Sequence, residues 1–82
     1  MLDVTIHFYS YFKELTGCAQ TRIALPEGST LQQLMQQLAA RFPKWAAMQN
    51  ASLIAVGVEY QGRDYILQSG DEVSLFPPVQ GG

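Results

Sequence analysis

The stretch TLQQLMQQLAARFP, from Thr30 to Pro43, decides how this chain folds. Leu31, Leu34, Met35, Leu38, Ala39 and Phe42 recur at helical intervals, while Gln32, Gln33, Gln36 and Gln37 fall on the opposite side. That is the pattern of a helix with one apolar stripe facing a core. Thr30 and Gln33 have the spacing of a capping box, in which each side chain satisfies the other's exposed backbone N–H. Pro43 stops the helix, because it disfavours helical geometry in the residue before it. The Leu and Met stripe is core, and the glutamines are its wet side.

On either side of this helix the period changes from helix to strand. Leu2, Val4, Ile6 and Phe8 alternate with Asp3, Thr5 and His7, which predicts a strand buried on one face. Ser10 is expected to cap a short helical turn through Tyr11 to Leu15, with Gly17 in the left-handed position after it. Thr21, Ile23 and Leu25 define a second strand, closed by the turn Pro26-Glu27-Gly28. Beyond a loop holding Trp45, the run Leu53 to Val58 reads as a strand with apolar residues on both faces, hence a well-covered one. Gln61 to Asp64 is a turn, Tyr65-Ile66-Leu67 a short extended piece, and Ser69-Gly70-Asp71 another turn. Glu72 to Leu75 is the last strand, with Val73 and Leu75 facing inward.

Strand, strand, long helix, strand, short strand, strand is an α+β order. The helix is a crossover, so it should lie over one face of a single mixed sheet of four to five strands. This is the β-grasp arrangement. Its other sheet face is left open, and in a small domain such a face is suited to docking. The expected organisation is one β-grasp domain over residues 1–76 and a flexible tail over residues 77–82.

With 82 residues there is room for one core and no second. A chain of this size buries roughly 60–65% of its unfolded surface, too little to enclose a deep substrate cavity. Hydrophobic residues make up 48% of the sequence, which argues for a packed core and against disorder. The net charge is −2, and Lys13, Arg22, Arg41, Lys44 and Arg63 are scattered, so nucleic acid is not an expected partner. Cys18 is the single cysteine, which rules out an internal disulfide and any cluster held by four thiolates. No leader or membrane-length apolar segment is read, and a cytoplasmic setting is the expectation.

Side chains that carry chemistry are sparse. His7 lies out of phase with the apolar residues of its strand and has no carboxylate or cysteine near it in sequence. It is expected to be an exposed or half-exposed sheet residue. Cys18 has no activating neighbour in sequence. Asp71 belongs to a Gly-Asp-Glu turn, where bonding to local amides accounts for it. There is no phosphate loop, nucleophile elbow or metal-ligand spacing.

The tail is where the sequence becomes specific. Phe76 breaks the inward phase of Val73 and Leu75 and should point to the open face. Pro77 and Pro78 cannot donate to a sheet ladder, and they hold the chain extended. Pro77 to Gly82 can reach roughly 20 Å at about 3.3 Å per residue. Without Cβ atoms, Gly81 and Gly82 let a partner close a narrow channel around the backbone and leave the terminal carbonyl carbon open to attack.

Gly70-Asp71-Glu72-Val73 followed by Phe76-Pro77-Pro78-Val79-Gln80-Gly81-Gly82 resembles the small, sulfur-carrying subunits of molybdopterin synthase, among the ubiquitin-like β-grasp sulfur carriers. Phe8 to Phe12, Glu14-Leu15, Gly17, Leu25-Pro26 and the helix from Leu31 support this, so the likeness covers nearly the whole chain. The double proline and the length favour this branch over the thiamine-pathway carriers. The resemblance implies that an ATP-using activating enzyme adenylates the Gly82 carboxylate and that a persulfide donor supplies sulfur to give a thiocarboxylate. The tail then enters the large catalytic subunit of the synthase and gives sulfur to a pterin precursor. It also implies that the chain binds no cofactor or metal of its own, that the catalytic side chains belong to the partners, and that Tyr9, Tyr60, Phe76 and Lys13 form the docking surface.

Two positions depart from the family pattern: Gly57 stands where many relatives have Asn, and Gln80 where a small residue is common. The competing readings are a protein modifier joined to lysines through Gly82, a carrier of the thiamine type, and a noncovalent interaction module.

Overall fold

The computed structural model describes residues 1–78. Five strands, β1 (Leu2–Phe8), β2 (Gln20–Leu25), β3 (Leu53–Val56), β4 (Glu59–Tyr60) and β5 (Glu72–Phe76), form one sheet in the order β2-β1-β5-β3-β4. Helices α1 (Phe12–Thr16), α2 (Leu31–Arg41) and α3 (Pro43–Ala46) complete the chain. β1 runs parallel to β5 at the centre, and the other pairings are antiparallel. This is the β-grasp sheet expected from the order of the elements.

The alternation in β1 survives intact, with Leu2, Val4, Ile6 and Phe8 buried. They join Ile23 and Leu25 of β2, Ile54 of β3, and Val73 and Leu75 of β5 under the stripe Leu31, Leu34, Met35 and Leu38 of α2. The capping box forms as its spacing requires: Gln33 N–H donates to Thr30 Oγ1, and Thr30 N–H donates to Gln33 Oε1 at 2.8 Å. The helical contribution of α2 to the core comes from one side of the sheet, and among the described residues the opposite side carries no helix.

Four local expectations need correction. Ser10 does not cap α1 through its hydroxyl. The cap position is Tyr11, and Ser10 takes a left-handed φ of 58° that turns the chain sharply out of β1, so only its carbonyl meets Lys13 N–H. The loop expected around Trp45 is helical, started by Pro43 at its first position, where the missing N–H costs nothing. Trp45 there is fully buried, edge-on to Phe12 with ring centroids 6.2 Å apart. Its indole closes the end of the core between α1 and α2.

The expected strand Leu53 to Val58 stops at Val56. Gly57, with φ 61°, and Val58 make a two-residue turn into β4, and Val58 is 99% exposed. A glycine at the first loop position is what this tight hairpin asks for. Consequently the short strand of the sheet is β4, and Tyr65-Ile66-Leu67 is not one. The backbone bonds of that piece go elsewhere: Leu31 N–H donates to Tyr65 O, Leu67 N–H to Ser29 O, and Gln32 N–H to Arg63 O. Tyr65, together with Arg63 in the turn before it, satisfies the first N–H groups of α2, which no residue inside the helix can reach.

Among the described residues no helix is long and apolar enough to cross a membrane.

Replacing Trp45 by Ala removes the largest buried side chain, at an expected cost of about 3–5 kcal/mol. Chemical denaturation should show the loss; a change below about 1 kcal/mol would mean that α3 is dispensable to the core.

Candidate docking face

Strand alternation puts Gln20 and Arg22 of β2, Thr5 and His7 of β1, Glu72, Ser74 and Phe76 of β5, Leu53 and Ala55 of β3, and Tyr60 of β4 on the helix-free face. The register lines up Gln20, His7, Ser74, Ala55 and Tyr60 in one row across the sheet. Leu53 pairs with Phe76 in the next row toward the end where the chain leaves β5.

Tyr9 extends that row, because its N–H donates to Leu75 O at 3.2 Å and carries the parallel ladder one residue past β1. Its ring stacks on Phe76, centroids 4.7 Å apart and planes 12° from parallel. Two aromatic residues far apart in sequence therefore form a single plate beside the exit point. Leu53 is 37% exposed, Tyr9 42% and Tyr60 70%, so the plate and its flank are accessible. Pro77 and Pro78 follow directly and are half-buried. Lys13 is exposed on α1, which begins right after the turn at Ser10 and so lies at the same end of the sheet. Gly81 and Gly82 lie outside the described residues.

The sequence reading of His7 missed its partner. His7 is half-buried, and its Nε2 lies 2.8 Å from Glu72 Oε1. Sixty-five residues separate them, and only the parallel register of β1 with β5, Thr5 against Glu72 and His7 against Ser74, makes them diagonal neighbours. No local pattern signals such a pair.

Asp71 bonds locally as expected, with Gln68 N–H donating to its Oδ2 at 2.9 Å. The same oxygen also accepts the Tyr65 hydroxyl at 3.1 Å, a contact the sequence did not announce. Together they fix the turn that feeds β5. Burial, then the hydrogen bond to Asp71 and its negative charge, hold the Tyr65 hydroxyl above the usual tyrosine value of 10.0. Cys18 is half-buried against the core beside Thr16. No group of three or more His, Cys, Asp or Glu among the described residues is placed to hold a metal.

A five-stranded β-grasp sheet with an aromatic plate at the root of a Pro-Pro tail defines a ubiquitin-like carrier or docking module. The chain belongs to the ThiS family, whose model matches residues 6–82. It is 36% identical over 81 residues to the molybdopterin synthase sulfur carrier subunit of Escherichia coli, covering 96% of this chain and 99% of that one. Among solved structures it superposes on the putative molybdopterin converting factor subunit 1 of Pyrococcus furiosus with a TM-score of 0.89 at 29% identity, covering 96% of this chain and all of that one, 100%. It also matches a chain of the complex between subunits 1 and 2 of the molybdopterin-converting factor of Helicobacter pylori, with a TM-score of 0.73 at 23% identity, covering 99% and 100%, a likeness of fold alone. The family resemblance read from the Gly-Asp-Glu and Phe-Pro-Pro stretches agrees with these relatives.

Because folded Tyr65 keeps its proton to a higher pH than the unfolded chain does, its contribution to stability is complete below the unfolded tyrosine range. It is lost as pH rises through the folded value. Unfolding free energy should therefore fall more steeply above about pH 10 in the wild type than in Tyr65→Phe. Identical alkaline profiles for the two proteins would contradict this.

Proposed function

We propose that the chain is a sulfur carrier whose terminal carboxylate, on Gly82, is converted to a thiocarboxylate and presented to the large subunit of a molybdopterin synthase. The observation that carries this reading is the Tyr9–Phe76 plate at the root of the tail, on a sheet whose relatives are called sulfur carrier subunits of that synthase. The plate gives a partner a flat, desolvatable anchor, and aromatic residues of this kind dominate binding energy at interfaces. Pro77 and Pro78 follow β5 directly and stiffen the chain where it leaves the sheet.

The chemistry follows from the carboxylate. A resonance-stabilised carboxylate resists attack by sulfur, so it must first carry a leaving group. An activating enzyme uses ATP: the Gly82 carboxylate oxygen attacks the α-phosphorus, pyrophosphate departs, and an acyl adenylate forms. The outer sulfur of a persulfide attacks the acyl carbon and expels AMP, giving an acyl disulfide. A second thiol on the partner attacks the donor's sulfur and forms a new disulfide with it, and the thiocarboxylate departs as the leaving group. In the large subunit this sulfur passes to a pterin precursor. The carrier contributes the reacting terminus and its positioning, with Tyr9, Tyr60 and Phe76 as anchors and Lys13 as a polar contact. Catalytic side chains, ATP and the persulfide belong to the partners.

Incubation with the activating enzyme, ATP and a persulfide donor should replace one terminal oxygen by sulfur in the intact-mass spectrum. Deleting Gly82 should abolish the exchange while the melting temperature stays unchanged. No exchange with an activating enzyme shown to be competent on another carrier would sink the reading, and conjugates to lysine in its place would favour the modifier reading.

Docking has a separate test. Phe76→Ala should weaken binding to the large subunit by about tenfold or more, the loss expected of a central aromatic anchor. Unaltered affinity would remove the plate from the interface.

A further inference from the structure

His7 and Glu72 sit on the candidate docking face, His7 one row in from the aromatic plate and Glu72 one row further, beside Thr5. The His7 ring lies 6.5 Å from that of Tyr9, which itself stacks on Phe76. In the cross-sheet row, His7 is next to Ser74, and Ser74 and Ala55 lead on to Tyr60. A footprint that takes in Tyr9, Phe76 and Tyr60 therefore crosses Ser74 and Ala55 and borders the imidazole. We propose that the His7–Glu72 pair makes docking of this face proton-linked, so that the partner binds the carrier more tightly when His7 is protonated. This rests on the reading of the face as the docking surface.

The argument is one of net charge under a dehydrated interface. In the free carrier the His7 and Glu72 side chains are 25% and 66% exposed, so water supports either charge state of the pair and the contact is worth little. Covering the face removes that water. With His7 neutral, the covered pair carries one uncompensated negative charge, which is costly to bury. With His7 protonated, the Nε2–H donates to Glu72 in a pair whose net charge is zero. Docking must then take up a proton, and by reciprocity proton binding must strengthen docking.

Few other charges intervene. Of the neighbours of His7, β2 presents Gln20 directly opposite and Arg22 diagonally, beside Thr5; β5 presents Ser74 and Glu72; and β1 itself presents Thr5 and Tyr9. Arg22 is the only other cation among these residues. α1, which packs at the end of β1, buries Phe12 and leaves Lys13 exposed at the turn. Histidine is the side chain whose charge ordinarily changes between about pH 5 and 8, so the linkage falls within a measurable range.

The experiment is titration calorimetry of the full-length carrier onto the large synthase subunit, at several pH values from about 6 to 8. Wild type, His7→Gln, Glu72→Gln and Phe76→Ala are compared. Groups on the partner titrate equally in all four, so the informative quantity is the difference in pH dependence from wild type. Relative to His7→Gln, wild-type affinity should gain about fivefold or more toward the acid end. Glu72→Gln should reverse the trend, because its imidazolium would then be the uncompensated charge. Parallel profiles for wild type and His7→Gln, in a titration where Phe76→Ala still weakens binding, overturn the proton linkage and leave the docking face standing. Equal affinity of Phe76→Ala and wild type takes away the docking face and the linkage with it.

Discussion

The parallel pairing of β1 with β5 is the constraint on which the rest of the structure depends. It joins the first strand of the chain to the last, from Thr5 against Glu72 to Phe8 against Leu75. Parallel neighbours require a long connection, and here it includes β2, the crossover helix α2, and the β3–β4 hairpin. The pairing also sets the phase of the core, since Ile6 with Val73 and Phe8 with Leu75 put two apolar pairs under α2. A slip of β5 by one residue against β1 would send Val73 and Leu75 to the open face and bring Ser74 into the core.

The same register builds the site. It sets Tyr9 beside Phe76 and His7 beside Glu72, although each pair is separated by most of the chain. Stacked aromatic pairs contribute about 0.5–1.5 kcal/mol beyond the area they bury, so the plate helps hold the end of β5. The sheet thus has one face given to the core and one left bare.

What was legible in the sequence was whatever repeats locally. The stripe of α2, the alternation of β1 and the capping box at Thr30 are periodic signals, and each reappears in the structure. Phe76 was placed on the open face by phase alone. The misreadings share another character. Trp45 lies in a helix of four residues, too short to show a period. Tyr65 to Leu67 has strand-like residues, yet its backbone groups are used to finish the start of α2, a tertiary demand that composition does not record. The Glu72 partner of His7 and the Tyr65 partner of Asp71 follow from where distant segments meet.

The position of β5 has a mechanical consequence. It is an interior strand, bonded to β1 on one side and β3 on the other, and the tail continues from its end. A partner that draws the tail into a channel pulls along the strand, so the load falls as shear on both ladders at once. Hydrogen bonds loaded in that way share the force, whereas an edge strand pulled along its length would have one ladder instead of two to carry it. The fold behind Pro77 and Pro78 is thus arranged to stay closed under tension applied along β5.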